Sequence, residues 1–118
     1  MLAPGSGVRR SEDCGGWAVV VLTGEVDRAL APALREAVDL LIAEDRGLIV
    51  LDLDQVSFMD SAGLGVLVYG MRRAGALEGM LRLAAPGDQV RELLELTGLD
   101  AAVEAFGDVS AACAAPRA

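Results

Sequence analysis

Histidine is absent from this chain of 118 residues, and so is lysine; its ten cationic side chains are all arginines. Without histidine the chain lacks the commonest general base and the commonest metal ligand. That turns the reading away from acid–base enzymes and metal centres. Aromatic residues make up 3% against 53% hydrophobic residues overall, so a core must be built from aliphatic side chains. No apolar run reaches the roughly 20 residues that span a bilayer, and residues 1–10 lack the apolar stretch of a secretion signal. The two cysteines, Cys14 and Cys113, lie near opposite ends with no paired-thiol or zinc spacing. They read as free thiols in a reducing compartment, and a cytoplasmic location is expected. A basic stripe is also missing. The net charge of −8 argues against nucleic-acid binding and is compatible with a basic protein partner.

The length suits one domain, and no internal repeat or linker divides it. Residues 8–13 carry a poor strand pattern. Cys14-Gly15-Gly16 reads as a hairpin turn, because glycine takes positive φ at little cost. Residues 17–23 form a valine-rich strand bounded by Gly24, and Gly24-Glu25-Val26-Asp27 reads as a turn. Pro32 suits the first turn of a helix. Leu34, Val38, Leu41 and Ile42 share one face of it, and Gly47 ends it. Residues 48–53 are apolar on both faces, as a buried parallel strand requires. Residues 54–59 read as a short polar connection, followed by a helix over about 61–73. Gly75 and Gly79 bracket the next connection, and residues 80–84 form a short strand. After Pro86-Gly87, Asp88 caps a helix carrying Val90, Leu93, Leu94 and Thr97, which Gly98 closes. Residues 99–106 hold a short strand or a helical turn. Residues 1–7 and 108–118 are expected to be flexible tails. Strands alternating with helices imply an α/β domain with a parallel or mixed sheet.

One segment stands out: Asp60-Ser61-Ala62-Gly63-Leu64-Gly65-Val66-Leu67. An acid followed by a hydroxyl at the mouth of a helix is N-cap chemistry, and either Asp60 or Ser61 fits the role. Two glycines in the first turns are unusual, since each costs roughly 1 kcal/mol against alanine. Close approach of backbone, by the sheet beneath or by a partner protein, is the ordinary compensation.

The longer stretch Val56-Ser57-Phe58-Met59-Asp60-Ser61-Ala62-Gly63-Leu64-Gly65 resembles the signature of bacterial anti-sigma factor antagonists, in the STAS domain family. Leu22-Thr23-Gly24-Glu25-Val26-Asp27, Ala31-Pro32-Ala33-Leu34-Arg35 and Leu96-Thr97-Gly98-Leu99 resemble further family segments, in the right order. The likeness covers about residues 8–106. It implies a small, mixed, mostly parallel sheet with helices packed mainly on one side. It also implies a protein that performs no catalysis and needs no cofactor. By that resemblance the unmodified protein binds an anti-sigma factor of the serine protein kinase type and releases a sigma factor. Phosphorylation of Ser61 switches it off, and a serine phosphatase resets it. Asp27, Asp60, Ala62, Gly63, Leu64 and Gly65 would form the partner-binding surroundings of the phosphosite. Each has a plainer role beside this one: Asp60 as helix cap, Asp27 as solvated turn residue, Leu64 as core. Arg72 and Arg73 read as a solvated helix end. Ala62 stands where many relatives carry a second hydroxyl, which removes a secondary phosphorylation there.

Two rivals are set beside this. Asp52 and Asp54, at the end of an apolar strand, resemble the nucleophile motif of haloacid-dehalogenase-type phosphohydrolases, which hold magnesium. That family also needs a lysine, which is missing here. The second rival keeps the fold and makes the chain an accessory subunit of a lipid-transport complex. The glycines do not form a nucleotide phosphate loop, lacking the Gly-Lys-Ser/Thr ending.

Overall fold

Alternation along three strands decides the layers. In the computed structural model, which describes residues 1–117, the strands are β1 (Gly7–Arg10), β2 (Ala18–Val26), β3 (Leu48–Met59), β4 (Met80–Ala84) and β5 (Ala105–Phe106). They hydrogen-bond in sequence order; β1 runs antiparallel to β2 and the other pairs are parallel. Ala18, Val20 and Leu22 of β2, Ile49, Leu51 and Leu53 of β3, and Leu81 and Leu83 of β4 enter one large core cluster. The intervening Val19, Val50 and Ala84 enter a second, smaller one. Period-two alternation in a strand apolar on both sides gives a sheet that must be covered on both faces.

The larger face is covered by helices α1 (Ala31–Ala43), α2 (Ser61–Ala76) and α3 (Asp88–Thr97), through Leu34, Leu41, Leu64, Val66, Leu67, Val90 and Leu94. A short 3-10 turn (Leu99–Ala101) joins α3 to β5. The α1 and α2 helices are tied outside by Tyr69, whose hydroxyl donates to Asp39 while Arg35 stacks on its ring at 4.2 Å. Arg73 also donates to Asp39 at 3.0 Å, so it is not simply a solvated helix end. These groups are partly exposed, and their contribution is modest.

Several boundaries differ from the sequence reading. Gly24-Glu25-Val26 is not a turn but the end of β2, which pairs Val26 with Met59 across two irregularities in register. Residues 54–59 are the far half of β3, not a connection. They are polar because β4 stops at the pair Asp52–Ala84, leaving β2 as the neighbour there. The α1 helix stops at Ala43, before Gly47: Asp45 takes the left-handed conformation and the Arg46 amide donates back to the Leu41 carbonyl. The α2 helix continues through Gly75 to Ala76, held by buried Ala74. Asp88 is the first residue of α3, and Gly87 occupies the cap position. Gly98 closes α3 in the left-handed conformation, as read. Residues 99–106 contain both a helical turn and a strand.

The tails also differ. The Ser6 hydroxyl accepts from the Glu25 amide at 2.9 Å and Gly7 pairs with Thr23, so the chain is pinned before residue 8. Helix α4 (Val109–Ala114) lies in the stretch read as a tail, with Asp108 as its side-chain N-cap. It covers the smaller face through buried Ala112, beside Trp17, Val19 and Val50. Ala118 lies outside the described residues.

Buried Arg82 explains why this short, alanine-rich piece docks. Its guanidinium donates to the carbonyls of Ala112, Ala115 and Pro116 at 2.7–2.9 Å. It also lies over the rings of Trp17 and Phe106 at 4.5 and 5.1 Å. Among the described residues its Nε finds no partner, and the Glu104 carboxylate stands 4.0 Å away from Nη2. A buried charge is tolerable when hydrogen bonds and aromatic faces replace its hydration.

Two predictions come from this packing. Arg82→Ala leaves a cavity and three carbonyls without a donor, and should lower stability by about 2–4 kcal/mol. Amide exchange should show α4 opening first; unchanged protection at residues 109–114 would contradict the clamp. The two signature glycines should respond in opposite directions. A Cβ at Gly63 would stand 2.6 Å from the Val26 carbonyl oxygen and 2.7 Å from Met59 Cγ, whereas one at Gly65 meets nothing within 4 Å. Gly63→Ala should cost about 1–3 kcal/mol by overpacking. Gly65→Ala should gain up to about 1 kcal/mol, both read from chemical denaturation.

Candidate functional site

The neighbouring parallel strands β2 and β3 end side by side, at Val26 and Met59. Each is followed at once by an aspartate. Asp27 turns the chain into α1: its Oδ1 accepts from the Leu30 amide at 3.1 Å, and its carbonyl accepts from Ala31 at 2.9 Å. It is half-buried and does the work of a turn cap, not that of a freely solvated residue. Asp60 donates its own amide to the Val26 carbonyl at 3.3 Å, which ties the start of α2 to the end of β2.

Of the two candidate caps, Asp60 holds the position. Its backbone is extended, and Oδ1 accepts from the amides of Ala62 at 2.9 Å and Gly63 at 3.2 Å. Ser61 is therefore the first helical residue, with its hydroxyl exposed. Gly63 is buried against Val26 and Met59, and Leu64 is 7% exposed, inside the main core. Gly65 returns to the surface one turn after Ser61, on the same side of the helix. The expected set thus divides. Ser61 and Gly65 are exposed, Ala62, Asp60 and Asp27 are half-buried, and Gly63 and Leu64 support from below.

One positioning residue was not anticipated. Gln89 of α3 bonds Met59 twice: its Oε1 accepts from the Met59 amide at 2.9 Å, and its Nε2 donates to the Met59 carbonyl at 2.8 Å. The side-chain amide thus replaces the strand neighbour that β3 lacks at this end. No sequence pattern marks it; a glutamine two residues after Pro86-Gly87 looks like an ordinary exposed position in a first turn.

The site's chemistry is that of an accessible hydroxyl under a local negative potential. The helix end favours an anion, but Asp60 already occupies two of the free amides. A group added to the Ser61 oxygen would stand outside that cap, facing solvent, beside a carboxylate.

The rival aspartates lie elsewhere. Asp52 Oδ1 accepts from the Asp54 amide at 3.1 Å, and both line an open cavity of about 390 Å³ with Ala85, Gly107, Asp108, Val109 and Ser110. Three carboxylates and no cationic side chain line it, which disfavours a phosphate ester. Among the described residues no cluster of three or more His, Cys, Asp or Glu side chains is placed to hold a metal ion. No helix among them is long and apolar enough to cross a membrane.

The family model for the STAS domain matches residues 8–112. The anti-sigma-F factor antagonist RsfB of Mycobacterium tuberculosis is 33% identical over 106 residues, spanning 90% of this chain and 86% of the relative. The anti-sigma-B factor antagonist of Listeria monocytogenes is 33% identical over 85 residues, spanning 72% and 75% respectively. Among solved structures, an anti-sigma factor antagonist from Mycobacterium paratuberculosis superimposes with a TM-score of 0.80 at 32% identity, covering 95% of both chains. A five-stranded mixed sheet carrying its helices mainly on one side, an exposed serine directly after the Asp60 cap of α2 and these likenesses together establish that the chain belongs to the STAS domain family.

Proposed function

We propose that this chain is an anti-sigma factor antagonist whose unmodified form binds an anti-sigma factor of the serine kinase type and so releases a sigma factor. The observation that carries the reading is Ser61: an exposed hydroxyl, fixed by the Asp60 cap, on the rim of a domain whose relatives bear that name. Phosphorylation is the switch. The Ser61 oxygen takes the γ-phosphoryl group of ATP held by the kinase, its proton passes to the kinase's base, and ADP leaves. A separate serine phosphatase hydrolyses the phosphoester and resets the protein. The chain itself acts without catalysis or a cofactor, in the cytoplasm and away from nucleic acid.

Gly65 supports a docking face here. Its lack of a side chain relieves no clash within the fold, so the ridge of Ser61, Ala62 and Gly65 is flat enough for a partner backbone to approach closely. Leu64 and Gly63 hold that ridge from below. A phosphoryl group adds roughly −1.5 to −2 charges and three acceptor oxygens. On Ser61 it would lie next to Asp60, near Asp27, in a molecule already at −8. Covering such a charge without a counter-ion costs several kcal/mol. A loss of ~3 kcal/mol weakens binding more than a hundredfold.

The test is intact-mass analysis and site mapping after incubation with the cognate anti-sigma kinase and ATP; a modification anywhere but Ser61, or none, would overturn the switch. Ser61→Ala should bind the partner as tightly as wild type but resist ATP-driven release. Ser61→Asp should bind at least tenfold more weakly in a titration, and wild-type affinity there would contradict the charge argument.

A further inference from the structure

The fold brings Cys14 and Cys113 into contact, although they lie near opposite ends of the chain. Cys14 opens the tight turn of the β1–β2 hairpin, its amide and carbonyl both paired with Trp17 at 2.9 Å. Cys113 lies in α4, on the smaller face of the sheet. The helix backbone rests on the turn: a Cβ at Gly15 would stand 3.8 Å from Cys113 Cβ and 3.6 Å from its carbonyl oxygen. Both side chains pack against the same apolar cluster. Both are free thiols and neither is fully covered.

The flanks of both cysteines are fixed by one residue. Arg82 holds the carbonyls of Ala112, Ala115 and Pro116, on either side of Cys113, and stacks on Trp17, the partner of Cys14 across the turn. Closing a disulfide needs Cβ atoms about 3.5–4.5 Å apart, and the approach of the turn at Gly15 to Cys113 places the two cysteines within a small movement of that range.

We propose that Cys14 and Cys113 form an oxidation site that takes a peroxide and closes to an intramolecular disulfide. In the first step one of the two sulfurs, as thiolate, attacks the peroxide O–O bond. That sulfur gains a hydroxyl as sulfenic acid, and the second oxygen leaves as hydroxide and takes a proton to become water. In the next step the other sulfur, giving up its proton, attacks the first; the S–S bond forms, the S–O bond breaks, and a second water leaves. The two thiols lose two electrons and two protons in all, and one peroxide becomes two waters.

Burial, then the neighbouring Cys14, push the Cys113 thiol up to about 12, against the opposing pull of Arg82. The disulfide would bolt α4 to the hairpin across nearly the whole chain. This site stands apart from Ser61 and does not depend on the function proposed for it.

The experiment treats the purified full chain with hydrogen peroxide at one equivalent. Expected are loss of two hydrogens by intact mass, a Cys14–Cys113 cross-linked peptide, a species that stays the size of the reduced one, and reversal by dithiothreitol. The melting temperature of the oxidised form should rise by about 10 °C, as expected for a bridge closing a long loop. A disulfide between two chains, over-oxidation without a link, or thiols that remain alkylatable would overturn the proposal. Cys14→Ser and Cys113→Ser should each lose the internal link, and the thiol left in at least one of them should form a sulfenic acid that dimedone traps; absence of label in both would overturn the proposal. If neither variant folds, the peptide map of the wild type decides alone.

Discussion

The first turn of α2 rests on the backbone of β2, and the proposed contact surface depends on how closely. At Gly63 only a hydrogen fits between the helix and the Val26 carbonyl. The seat is completed by the Asp60 amide on that carbonyl and by the Asp60 carboxylate on the amides of Ala62 and Gly63. Rotation of the helix is then fixed. Leu64, Leu67 and Ala74 must point into the core, so Ser61 and Gly65 must point out. A larger residue at position 63 would lift the turn, loosen the cap and move the hydroxyl together. Gln89 secures the other side by tying Met59, immediately before the cap, to α3. The serine is thus exposed but not mobile in position: two strand ends and two helices hold it.

This division was half legible in the sequence. The spacing of Leu34, Val38 and Leu41 gave α1 its face, and the two-sided apolar run at 48–53 gave the centre of β3, because burial dominates in both. The cap was legible as a pair, but not which member held it; an extended Asp60 leaves its carboxylate free to turn back onto amides ahead of it, and that geometry is tertiary. The ends of β2 and β3 were misread for a common reason. Past the last residue of β4 the sheet narrows and exposes a flank, so Asp54, Gln55 and Ser57 look like loop although the ladder with β2 persists. Helix α4 was misread because alanine and cysteine carry little periodic signal, and what holds it is one arginine 30 residues earlier. An arginine in the short strand at 80–84 was the available clue: a charge on the smaller face needs acceptors, and a helix C-terminus offers free carbonyls.

The two faces of the sheet consequently carry different chemistry. The larger is an aliphatic core under three helices, and its rim carries the serine. The smaller holds a cation between aromatic rings, a short helix and two thiols, in a molecule otherwise poor in aromatics. Trp17 and Phe106 are not scattered; they flank the one fully buried charged side chain among the described residues, where their ring faces substitute for part of its lost water.

The same geometry decides how a charge on Ser61 can act. A phosphoryl group could in principle reorganise a helix by competing for its first amides, and then the message would be a change of shape. Here two of those amides are already bonded to a carboxylate held against the sheet, and that carboxylate repels the newcomer. The helix start has little to gain by rearranging, so a phosphoryl group on Ser61, as proposed, would leave the domain's form in place and change what can approach it. A ligand shifts an equilibrium only through its differential interaction with the two states. Under the proposed switch the differential term would reside in the desolvation of one exposed anion at the partner contact, a local charge effect that calls for no rearrangement inside the domain.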